Sequence, residues 1–186
     1  MLKDVAWAPY RDVVCETFVL RQPVISSEYA RHHSDYLISL SAAPHEASHV
    51  WHSQSWYLRH MADGFVSLRS GGIELMPVDF WGEVGGFWRC MMDIITDYAH
   101  TGSGHTLLED QPYSLALRKA GDSAVFELAD ASYTVSPRGF VLGLLSGAND
   151  FYSWAVEHVG GFSDDETHRP ALLRTLITNE RAHPAG

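Results

Sequence analysis

The chain has 186 residues, 46% of them hydrophobic and 19% charged, a balance that excludes wholesale disorder. That length suits one domain whose core needs neither disulfide nor metal. Thirteen Lys plus Arg against 23 Asp plus Glu give a net charge of −10, which disfavours nucleic acid and would attract a basic partner.

Met1 to Asp12 carries Lys3, Asp4, Arg11 and Asp12 and has no apolar h-region, so no secretory signal is expected. No run approaches the ~18 uncharged apolar residues of a membrane span. Two cysteines, Cys15 and Cys90, fit a reducing cytoplasm with unpaired thiols. Eleven histidines would remove negative charge near pH 6, so an electrostatic partnership should weaken on mild acidification.

In chain order, Val13 to Leu20 and Tyr36 to Leu40 read as strands. Next comes His45-Glu46-Ala47-Ser48-His49, which fits the H-E-x-x-H pattern of zinc-dependent hydrolases. On a helix, His45 and His49 share a face and reach one Zn²⁺, while Glu46 polarises a metal-bound water as general base. The surroundings predict a loop instead. Ser41-Ala42-Ala43-Pro44 upstream is not an apolar helical run, and Val50, Trp51, Trp56, Tyr57 and Leu58 follow neither helical nor strand periodicity. No recognisable motif supplies a third ligand, and the longer metzincin pattern is absent.

Trp56 to Met61 and Phe65 to Leu68 read as a hairpin around Ala62-Asp63-Gly64. Ser70-Gly71-Gly72 then turns the chain into Ile73 to Met76. Val78 to Ala99 is an amphipathic helix, with Trp81, Val84, Trp88, Met91, Ile95 and Tyr98 in steps of three and four and Asp79 as N-cap. Gly82, Gly85 and Gly86 either allow a close approach or delay the regular helix until after Gly86. His100 and His105 flank a glycine turn and read as a solvated helix C-terminus. Tyr113 to Lys119 and Ser123 to Leu128 are strands around Ala120-Gly121-Asp122, with Tyr133 to Val135 as a short third. A second long helix has Ser136 as N-cap and Pro137 at its first position, and stops at Gly160-Gly161. Pro170 to Arg181 closes the chain as a short helix. Clustered strands predict an α+β fold, a mostly antiparallel sheet packed by two long amphipathic helices and a short C-terminal one, in a single domain.

The remaining candidates are surface features. Glu109-Asp110 and Asp164-Asp165-Glu166 are acidic runs, each a solvated face or helix-initiating turn that together would form an acidic contact surface. Trp7, Trp51 and Trp56 fall in irregular stretches, where an exposed aromatic would anchor a partner. Cys15 has no neighbour that argues for a nucleophile, and Ser146-Gly147 lacks nucleophile-elbow spacing.

The layout from about Tyr36 to Val159 resembles that of small bacterial toxin-immunity proteins. The likeness lies in the Trp56 to Leu68 hairpin, the helix after Met76-Pro77-Val78-Asp79, the Tyr113 to Leu128 strands, the helix after Ser136-Pro137 and the acidic charge. The resemblance implies a cytoplasmic, non-enzymatic inhibitor of a basic protein, needing no cofactor, with Trp51, Trp56, Glu109, Asp110, Asp164 and Asp165 as the contact set. The alternative is a zinc-dependent hydrolase with His45 and His49 as ligands and Glu46 as base.

Overall fold

The computed structural model describes residues 13–24, 26–54, 61–108 and 112–179. The fold is α+β, with two antiparallel sheets and five helices among the described residues. Strand β1 (Val13–Leu20) pairs antiparallel with the short β2 (Leu37–Ser39) on one side and with β3 (Asp63–Ser70) on the other. β4 (Ile73–Glu74) and β5 (Gly82–Glu83) both pair with β3. The second sheet is a meander in sequence order of β6 (Ser103–Leu107), β7 (Ser114–Ala120), β8 (Ser123–Leu128) and β9 (Ala131–Val135).

Two long helices tie the sheets together. α3 (Val84–Thr101) contacts β3 of the first sheet and β6 and β7 of the second. α4 (Pro137–His158) crosses β1, while its Phe140 meets Phe126 of β8 at 5.0 Å between ring centroids. Trp88 of α3 stacks near Phe151 of α4 and donates its indole N–H to Thr17 Oγ1 of β1 at 3.2 Å. One continuous core therefore draws on both sheets and both helices. Each fully buried Leu or Phe in it contributes roughly 1.5–3 kcal/mol relative to exposure. The crossing of α4 over β1 is close because Gly143 and Gly147 face Val13 and Cys15, where added Cβ atoms would overlap those side chains.

Several expectations need correction. Residues 44–54 form a helix, α2 (Pro44–Gln54), not a loop. Pro44 takes its first position, where a missing N–H is harmless, and Glu46 lies in its first turn. α1 (Ser26–Tyr36), kinked at His32, occupies a stretch with no helical expectation, so the strand expected over Tyr36 to Leu40 begins only at Leu37. Ala62-Asp63-Gly64 is not a hairpin turn. Asp63 and Gly64 already belong to β3 and pair with Glu83 and Gly82, while Trp56 to His60 lie outside the described residues.

α3 begins at Val84 rather than near Asp79. Its N-cap is Glu83, whose buried carboxylate accepts the N–H groups of Gly85 and Gly86, the former at 2.8 Å. β6 follows α3 directly through Gly102, left-handed at φ 78°. The closing helix α5 (Asp164–Asn179) starts six residues before Pro170 and is not short. α4 has the expected Ser136 and Pro137 start, and Gly160 and Gly161 follow it with positive φ.

Candidate functional site: an acidic groove beside the first strand

β2 covers only part of β1. Its register ends at Phe18 opposite Ser39, and one further bond runs from Leu40 N–H to the Thr17 carbonyl at 3.0 Å. Among the described residues no strand flanks Val13 to Glu16 on that side. The Leu40-to-Thr17 and Arg21-to-Tyr36 bonds assign the odd-numbered residues of β1 to the β2 edge. Antiparallel alternation therefore aims the N–H and C=O of Cys15 at the open edge.

A groove of about 350 Å³ lies along this edge, between β1, the Leu40-Ser41 turn and α4. Its apolar wall is Leu40, Phe151 and Trp154, and its carboxylates are Glu16 and Asp150. Among the described residues no Lys or Arg lines it. Glu16 accepts the Ser39 hydroxyl at 2.8 Å, which fixes one carboxylate at the rim. Much of Asp150 meets solvent, yet desolvation against the crevice raises its carboxyl, only partly offset by a bond from Asn149. Val14, 47% exposed, adds an apolar foothold.

Cys15 is not a nucleophile in this arrangement. Burial of its sulfur, then the charges of Asp150 and Glu74, push the thiol up to about 12, although part of the residue touches the groove. Almost no thiolate exists at neutral pH.

The other predicted site residues are dispersed. α2 does place His45 and His49 on one exposed face, as a zinc site would need. Glu46, however, is held by Arg21 at 2.6 Å, and the His45 ring meets His158 edge-to-face at 5.4 Å. Among the described residues no three His, Cys, Asp or Glu side chains converge for a metal ion. Trp51 is fully buried against Phe151, Trp154 and Phe162, so it is no surface anchor. Asp164 and Asp165 are exposed in the first turn of α5, next to a capping box in which Ser163 and Glu166 bond reciprocally. Trp56, Glu109 and Asp110 lie outside the described residues. The groove pair Glu16 and Asp150 escaped sequence reasoning, because neither belongs to an acidic run and only the α4 crossing brings them to one crevice.

These elements define an α+β chain in which, among the described residues, no helix is long and apolar enough to cross a membrane. Comparison with protein-family models, with curated proteins and with solved structures gives no match.

Proposed function

We propose that the chain is a cytoplasmic, non-enzymatic binding protein of the immunity type, which takes an extended basic segment of a partner protein along the open edge of β1. The observation that carries this reading is that, among the described residues, no strand pairs with the edge at Cys15, and that Glu16 and Asp150 line the groove beside it. An added strand would gain main-chain hydrogen bonds there, and its Lys or Arg side chains would meet both acids. Two free thiols agree with a reducing compartment.

Asp150 also supports the reading through stability. A carboxyl whose folded pKa is raised binds its proton more readily in the native than in the unfolded state. Stability from this group is therefore lost as pH rises through the folded pKa, so the ionised carboxylate is held at some cost to the fold. Asp150→Asn should raise Tm by about 1–2 °C, a small shift because solvent screens the group, while weakening capture of a basic strand.

The test uses an alternating Lys-Val heptapeptide with a Glu-Val counterpart as control, titrated by calorimetry at low and high salt. Wild type should bind the Lys-Val peptide alone, more weakly at high salt. The Glu16→Lys/Asp150→Lys double variant should lose this binding, and Asp164→Lys/Asp165→Lys, elsewhere on the surface, should largely keep it. Equal losses in both pairs would reduce the effect to net charge and end the groove assignment.

The zinc-hydrolase alternative draws its support from the shared face of His45 and His49 on α2. Elemental mass spectrometry of the tag-free protein separates the two readings. The binding reading expects no stoichiometric zinc, whereas one zinc per chain, lost in both His45→Ala and His49→Ala, would replace it.

A further inference from the structure

The described cations of this acidic chain are almost all matched. Arg21, Arg69, Arg89, Arg118 and Arg169 each reach a carboxylate within 4.0 Å. Arg31 and Arg174 also have interactions of their own. Lys119 and Arg138 reach no carboxylate among the described residues, and both line the same cleft, about 510 Å³ in volume. Among the described residues, this chain with a net charge of −10 thus brings two cations without a carboxylate partner to one cavity.

The fold explains the convergence. Lys119 stands near the end of β7, where its side chain runs past Gly102 at the C-cap of α3. Arg138 lies in the first turn of α4, and Tyr98 comes from the last turns of α3. Val141 of α4 and Ile177 of α5 supply apolar lining. We propose that this cleft binds a small organic anion, its phosphate or carboxylate head between Lys119 and Arg138 and its apolar or aromatic body against Val141 and Ile177.

The chemistry suits such a ligand. Two cations flanking one head group would give it charge-assisted hydrogen bonds. Tyr98 also lines the cleft, and its phenol, like any tyrosine hydroxyl at neutral pH, can donate a hydrogen bond. The first turn of α4 acts in the same direction, since Ser136 provides no side-chain bond to its N–H groups. The volume admits a ligand with a ring or short chain beyond the head group, so the apolar lining has a use. This cleft shares no lining residue with the β1 groove, and the two assignments stand or fall separately.

Phenyl phosphate is the first probe, titrated into the ¹⁵N-labelled full chain and followed by amide chemical shifts, with inorganic phosphate and phenol as separate arms. Saturable shifts should centre on Gly102, Lys119, Arg138 and Val141. Phenyl phosphate should bind more tightly than either fragment alone. Lys119→Gln and Arg138→Gln should each weaken it roughly tenfold, and the double variant more than either. Both positions touch solvent, so folding of the variants is checked from the unaffected amides of β8 and β9. Full-strength binding in a folded double variant overturns the proposal. So does the absence of saturation at millimolar probe, and equal affinity for inorganic phosphate removes the apolar body from it.

Discussion

Gly104→Ala should cost at least about 3 kcal/mol and lower Tm by roughly 6–12 °C. β6 runs back along α3 immediately after the Gly102 cap, and Gly104 of this strand lies against the backbone of Ile94. A Cβ there would sit inside the van der Waals envelope of the Ile94 carbonyl, and neither partner is a flexible side-chain tip. Relief requires moving β6 off the helix, which loosens its register against β7 from Ser103 opposite Arg118 to Leu107 opposite Ser114. Gly121→Ala provides the contrast. Gly121 turns β7 into β8 with φ 61° and open space around it, so alanine there meets only the left-handed strain, about 1 kcal/mol. Urea unfolding of both variants measures the difference. Similar losses would mean that β6 does not ride on the α3 backbone.

The contrast between these two glycines also shows what the sequence makes legible. Gly121 lies in Ala120-Gly121-Asp122 between alternating strands, a local turn signal that places the β7–β8 hairpin within a residue. Gly104 carries no local signal, because its reason is Ile94 of a helix upstream folded back onto it. The same division runs through the fold. α4 has Ser136, Pro137 and a terminal glycine pair around a continuous apolar stripe, so its ends are readable. α3 carries an equally good stripe, but its start is set by Glu83 reaching the first two glycine N–H groups, and Asp79 offered a plausible competing cap.

α1 and α2 are the elements least visible in advance. α2 buries only Ala47 and Trp51, one turn apart, too narrow a face to stand out in eleven residues. α1 is polar along most of its length, with Tyr29 and Tyr36 carrying the contact to Leu20. Such helices are held by tertiary packing rather than by their own periodicity. The candidate site follows the same logic. The histidine motif is conspicuous in sequence and lies on an exposed face with Glu46 turned to Arg21. Glu16 and Asp150 are inconspicuous and share a crevice only because Gly143 and Gly147 let α4 approach β1.

Trp51→Ala should be the more damaging of the aromatic truncations in α2 and its surroundings, costing about 3–5 kcal/mol. The indole has 0% exposure and joins Phe151 at 6.1 Å, Trp154 at 5.5 Å and Phe162 at 6.5 Å, linking α2 to α4 and to the segment before α5. Alanine would leave a cavity between elements that cannot close it, because Trp154 is itself tied by its N–H to the Pro44 carbonyl at 3.4 Å. Apart from this ring α2 is held mainly by polar contacts, such as Ser48 Oγ to the His158 carbonyl and Glu46 to Arg21, so the loss of Trp51 should loosen its packing on α4. Near-UV circular dichroism and urea unfolding would register both effects. The two roles proposed for Trp51 separate cleanly in this experiment. A surface anchor, as expected from the sequence, would leave the urea midpoint unchanged and abolish partner binding. A core residue lowers the midpoint in the isolated protein, and any loss of basic-peptide binding follows from displacement of Trp154, which forms a wall of the β1 groove. Trp51→Phe, which keeps most of the aromatic volume, should then recover most of the stability and the groove with it.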